Sequence, residues 1–198
     1  MQKFNRVVLL IVAIIAGIQI VSGIEGLGTI PIAYYTFSYG IFLVSTILMI
    51  LLGVDIIEQD LAALAASLLP LGFSMGLVGE FLLECHFLYS TLIALLYAGL
   101  TIQKLRKQDK QALIFQILLH GLSGLVLFIM PLVLLLQGKV ETSFLGVSIG
   151  TGLIAVGGMA LAFLKSGKPL LSKDQIYAIF PTVLLLAVLA FSIGIGPR

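Results

Sequence analysis

The chain has no tryptophan, one cysteine and two histidines, and only 10% of its 198 residues are charged. Each shortage excludes something. A soluble domain carries about a quarter charged residues, so this composition is not that of a soluble globular enzyme, a disordered chain or a nucleic-acid binder. A lone Cys85 cannot form an intramolecular disulfide or a cysteine-rich zinc site. His86 and His120 are too few for a multi-haem cytochrome and differ in expected height by roughly 10 Å, so they do not suit one haem as co-ligands. The sequence therefore points to no cofactor and no metal. Without tryptophan, interfacial anchoring falls to tyrosine and phenylalanine.

What is abundant is apolar surface. Hydrophobic residues make up 60% of the chain and the mean hydropathy is +1.20. A spanning helix needs about 20 apolar residues. Seven such runs separate, at 7–22, 30–52, 61–78, 81–100, 112–136, 144–164 and 176–195. The expected fold class is all-α: a polytopic membrane protein, a bundle of seven transmembrane helices forming one integral membrane domain over 1–198. The first residues, Met1 to Arg6 and then an apolar run, resemble a signal peptide. Val21-Ser22-Gly23 is a poor cleavage site, and the segment reads as a retained first helix.

Positive charge sets the expected orientation. With the N-terminus in the cytoplasm, Lys3, Arg6, Lys104, Arg106, Lys107, Lys110, Lys165, Lys168 and Lys173 fall inside, and only Lys139 and Arg198 fall outside. This predicts a plasma (inner) membrane protein with its C-terminus outside. Asp55, Glu58 and Asp60 also lie inside, but acidic residues count little in this rule. The basic 104–110 loop suits anionic lipid headgroups.

The chain also resembles itself. The loop Gly53-x-x-Ile56-Ile57-x-x-Asp60 precedes the third run, and Gly167-x-x-Leu170-Leu171-x-x-Asp174 precedes the seventh; these runs carry Pro70 and Pro181. A small-x-Ser-x-Gly pattern recurs around Ser38, Ser74, Ser148 and Ser192, in runs two, three, six and seven. These are matching positions in a 3+1+3 parallel duplication, with units 1–80 and 111–198 joined by a linker helix at 81–103. One reading is a duplicated transporter. The other is a set of close helix crossings, since small residues four apart let backbones approach.

Ionisable residues inside a membrane are functional candidates by default, and the middle of each run lacks Lys, Arg, Asp and Glu. That argues against an ion-coupled pump. His120 is the exception, roughly 13 Å into the fifth run. Gln116 and Ser123 share its helical face and are expected to satisfy its ring nitrogens. The group reads either as a substrate site or as an interhelical hydrogen bond. A second cluster, Glu80, Glu84, Cys85 and His86, lies at the outer end of the fourth run, with Glu80 and Glu84 one turn apart and His86 above Ser90 and Tyr97. It reads as a cation-attracting vestibule, aided by Glu25 and Glu141, or as ordinary interfacial charge at a helix start. Tyr34, Tyr35, Phe37, Tyr39 and Phe42 crowd the outer half of the second run. An interfacial belt accounts for most of them, with ring stacking on a planar or sugar substrate as the other reading.

The sequence thus favours a small-solute carrier or channel without a buried charged coupling site. Its substrate-binding candidates are His120, Gln116, Ser123, Glu84 and His86, and it has no catalytic residue. A non-catalytic membrane subunit or scaffold is the alternative. An intramembrane enzyme acting on lipid or peptide comes third: Gly72-Phe73-Ser74-Met75-Gly76 formally matches the hydrolase nucleophile elbow, which needs a strand-to-helix turn. Expected partners are the lipid bilayer and a small solute, and no nucleic acid. Oligomeric state, the solute and the source membrane are not legible.

Overall fold

A computed structural model describes residues 3–23, 26–165, 167 and 169–196, the side chain of Lys165 excepted. Glu25, Lys168 and Arg198, invoked above, lie outside the described residues. Within them the chain is helical and has no strand. The helices are α1 (Lys3–Ser22), α2 (Thr29–Leu52), α3 (Asp60–Phe81), α4 (Leu83–Leu105), α5 (Asp109–Leu136), α6 (Leu145–Lys165) and α7 (Lys173–Ile195). Short 3-10 turns, Val54–Glu58 and Thr142–Phe144, lead into α3 and α6. Among the described residues, seven helices are long and apolar enough to cross a membrane, as an integral membrane protein requires.

The ends of the helices follow local chemistry. Gly53 stops α2 at φ 101°, a left-handed conformation that suits glycine. A capping box starts α7: the Ser172 hydroxyl accepts from the Gln175 backbone N–H, and the Gln175 side chain accepts from the Ser172 N–H. By contrast, α3 starts at Gln59 with no side-chain cap. A single residue, Leu82, separates α3 from α4. This break corrects one reading of the sequence. Glu80 ends α3 while Glu84 begins α4, so they do not share a helical face.

Six helices close a ring. α1 packs on α2, α2 on α3, α3 on α5, α5 on α6, α6 on α7, and α7 returns to α1. The order of neighbours is the same whether counted from α1 or from α5. α4 stands outside the ring, against α3 and α5. Only 11% of its apolar window is buried, against 56% for α3 and 44% for α7. The main core draws on every ring helix and none of α4. A second, smaller core of Leu64, Leu71, Ile93, Leu100, Ala112 and Leu119 attaches α4 to α3 and α5.

In a membrane, helices associate through close packing and interhelical hydrogen bonds, since lipid is as apolar as leucine. The small-x-Ser-x-Gly segments supply both. A methyl group at Gly72 would overlap Ser38 Oγ across the α2–α3 crossing, and one at Gly76 would meet the Tyr35 ring. In the α6–α7 crossing, a methyl at Gly146 would overlap the Ala190 carbonyl and the Gly194 backbone, and one at Gly150 would meet the Phe191 ring. The Ser38 hydroxyl donates to the Leu69 carbonyl of α3 at 3.1 Å. The Ser148 hydroxyl donates to the Phe128 carbonyl of α5 at 2.8 Å.

Candidate functional site

The centre of the ring is aromatic. Phe73 of α3 and Phe191 of α7 hold the same place in their small-x-Ser-x-Gly segments. They stack on each other with centroids 4.4 Å apart and planes inclined by 10°. Phe42 leans on both rings, and Tyr39 meets Phe73 edge-on at 5.2 Å. Tyr35, Tyr39, Phe42, Phe73 and Phe191 are all fully buried. The interfacial belt expected on α2 is therefore mostly core: Tyr35, Tyr39 and Phe42 point inward, while Phe37 stays exposed. Tyr35 also donates to Glu80 Oε2 at 2.7 Å, joining α2 to the end of α3.

Polar groups gather at the end of the bundle that carries the basic 104–110 loop, called the basic end below. The Glu58 carboxylate accepts from the Tyr177 hydroxyl and from Lys173 Nζ, the latter at 3.1 Å, which ties the turn before α3 to the start of α7. Lys173 also stands over the Tyr177 ring, 5.4 Å from its centroid. Asn5 of α1 is buried and donates to the Tyr177 carbonyl at 3.3 Å. Asp60 pairs instead with Lys104 of α4 at 2.8 Å. Between α1, the Val54–Glu58 turn and α7 opens a cleft of about 330 Å³, lined by Asn5, Val54, Asp55, Asp174, Tyr177 and Ala178 among others.

The five residues singled out from the sequence fall in two separate places. His120 is half-buried on α5, and its Nδ1 pairs with the main-chain carbonyl of Gln116 at 3.0 Å. The Ser123 hydroxyl is buried and donates to the Leu119 carbonyl at 2.7 Å. The sequence reading expected the Gln116 and Ser123 side chains to satisfy the imidazole; neither does, and the backbone of its own helix pairs its Nδ1 instead. This is the usual local alternative for a polar side chain on a helix. Glu84 is exposed on the first turn of α4. His86 pairs with Ser90 Oγ at 3.1 Å and lies against the Tyr34 ring at 5.5 Å. The helical step from His86 to Ser90 is as the sequence indicated. No hydrogen bond joins any of the five side chains to another.

The elbow-like segment has no activating partner among the described residues. Ser74 is fully buried and donates to the Leu71 carbonyl at 2.9 Å, and neither histidine bonds to it or to the exposed Cys85.

Sequence reasoning did not single out Asn5, Tyr177 or Lys173 as site residues. Asn5 sits among the N-terminal charges, and its partner is 172 positions away, so no local pattern links them. Compared with known protein families, with curated proteins and with solved structures, the chain matches none of them.

Proposed function

We propose that this protein is a carrier for a small solute, built from two related three-helix units with α4 as their linker. The observation that carries the reading is the stack of Phe73 on Phe191, where equivalent positions of α3 and α7 meet at the centre of a closed six-helix ring. Carriers made of internal repeats bind their solute near the interface between the repeats, and one half rocks against the other. The aromatic layer then acts as the barrier, and the cleft between α1 and α7 is the vestibule on the basic side. The excess of Lys and Arg on that side supports a cytoplasmic orientation for it, in a plasma (inner) membrane. On α5, the Nε2 of His120 accepts no bond from the protein and serves as a polar contact for the moving solute. Glu84 and His86 belong to the approach on the opposite side.

A second reading, a non-catalytic membrane subunit, is favoured by the burial of all five central aromatic rings. One experiment separates the two. Val188 is fully buried on α7, one turn to the basic side of Phe191. In a Cys85→Ala background, Val188→Cys in a carrier reacts with a small membrane-impermeant methanethiosulfonate added from the cytoplasmic side, because one state of the cycle admits water that far. In a static subunit it stays unreacted over hours. Complete protection in folded protein would overturn the carrier reading.

A further inference from the structure

We propose that the start of α7, residues 173–180, is a gate on the basic side, hinged at Pro181 and latched across the seam by Asn5 and Glu58. This deepens the carrier reading by supplying one of its gates. It rests on that reading for the transport cycle the gate serves, not for the latch itself.

The hinge follows from the sequence of α7. Pro181 lies inside the helix. Proline has no N–H, so the Tyr177 carbonyl four residues earlier loses its usual partner within the helix. In a bilayer, a carbonyl freed in this way is satisfied by a neighbouring helix. Asn5 Nδ2 does so from α1, at 3.3 Å, and Asn5 is only 6% exposed. The weak point of α7 is thus held by a side chain from the other half of the ring. The capping box at Ser172 and Gln175 fixes the first turn, so 173–180 can swing as one helical piece.

The latch adds two side-chain links to the same opposite half. The Tyr177 hydroxyl donates to Glu58, and Lys173 Nζ donates to Glu58 Oε2 at 3.1 Å. All three links leave α7 before Pro181. Beyond it, α7 is anchored on α6, where Gly146 and Gly150 meet Ala187, Ala190 and Phe191. Releasing the links therefore frees the segment and leaves the rest of the helix in place. The segment also stands over the path to the aromatic stack. Tyr177, Pro181, Leu184, Val188 and Phe191 recur every three or four residues on one face of α7, and the last four are buried. Asn5 and Tyr177 line the cleft of about 330 Å³. Swinging 173–180 away extends that cleft toward Val188, about two turns past Pro181.

The test uses the full chain with Cys85→Ala and Val188→Cys, the methanethiosulfonate being added on the basic side and folding checked by the thermal midpoint. Tyr177→Phe removes one latch bond and should speed labelling about fivefold, as expected for the loss of one net hydrogen bond. Glu58→Gln, which removes the ion pair, should also speed it, and is the second latch variant if Tyr177→Phe misfolds. Pro181→Ala returns an N–H to the Tyr177 carbonyl and stiffens the hinge. Added to Tyr177→Phe, it should reverse the gain, whereas a general loosening of the bundle would persist. Asp60→Asn, which breaks only the pair to α4, should change nothing. Unchanged rates in both latch variants, or no reversal by Pro181→Ala, would overturn the gate. The parent decides the carrier separately. A labelled parent with unaltered latch variants keeps the carrier and removes the gate. A protected parent that becomes labelled in Tyr177→Phe removes the carrier and keeps the latch. Protection throughout removes both.

Discussion

The two halves of the ring, α1 to α3 and α5 to α7, use the same packing and different polar chemistry. In both, the second and third helices cross at a glycine-rich seam, with Gly72 and Gly76 set against α2 and Gly146 and Gly150 against α7. In both, the third helix sends a phenylalanine to the central stack. The polar contacts diverge. Ser38 bonds forward to α3, whereas Ser148 bonds back to α5. Asp60 at the start of α3 is held by the peripheral α4, whereas the start of α7 reaches across the seam to Glu58.

One reason lies in length. From Asp60 to Ser74 is about one helical turn shorter than from Asp174 to Ser192, so the loop resemblance and the Ser-x-Gly resemblance cannot both align. The additional turn of α7 carries Lys173, Asp174 and Tyr177, the residues that build the seam network and its cleft. Where the halves agree they make a scaffold, and where they differ they make a candidate site.

The largest effect is expected at the shared centre. Truncating either buried ring, Phe73→Ala or Phe191→Ala, should cost about 3–5 kcal/mol, read as a fall in the thermal midpoint in detergent. Because the rings stack, the double variant should cost less than the two single changes together, with a coupling of about 0.5–1.5 kcal/mol. Strict additivity would mean that the halves do not meet through this pair. Next in size are the crossings. Gly146→Ala drives a methyl group into the α7 backbone, which cannot rotate away, whereas Gly76→Ala meets the Tyr35 ring. Overpacking costs about 1–3 kcal/mol, and Gly146→Ala should lie at the upper end with Gly76→Ala below it. The reverse order would show that Tyr35, held by Glu80, is the stiffer wall.

The order of the helices was legible because a spanning length of apolar residues needs no tertiary information. The internal resemblance suggested α4 as a linker between two units, but its place outside the ring, against α3 and α5, was not legible. Which side of a helix faces inward was not legible. Lipid and core are equally apolar, so hydropathy cannot distinguish buried Tyr35, Tyr39 and Phe42 from exposed Phe37. The candidate site was hidden for another reason. Sequence reasoning weighs polar residues by depth, which drew attention to His120. The structure pairs only the imidazole Nδ1 within α5 and assembles its polar network at the end of the bundle, from Asn5, Glu58 and Tyr177. Those residues are distant in sequence and unremarkable one at a time.

The smallest expected effects are at the two helix starts, and their difference is the most direct test of how the halves differ. The Asp60–Lys104 pair is open to solvent, with the carboxylate side chain 70% exposed. Exposed pairs contribute about 0.2–1 kcal/mol and are screened by salt. Asp60→Asn should therefore shift the thermal midpoint only slightly, and raising the salt concentration should remove the difference from wild type. Glu58 is less exposed, at 34%, and binds a hydroxyl as well as an ammonium. A hydrogen bond from Tyr177 to an ionised carboxylate is worth about 1 kcal/mol or more and does not depend on long-range charge. Tyr177→Phe should lower stability by about that amount in low and in high salt, with Asp60→Asn as the salt-sensitive control. It should also loosen α7 from α1 and the turn before α3, seen as faster hydrogen exchange at 54–58 and not at 104–110. Equal salt dependence in the two variants, or exchange spreading evenly over both helix starts, would mean that the additional turn of α7 adds no distinct link across the seam.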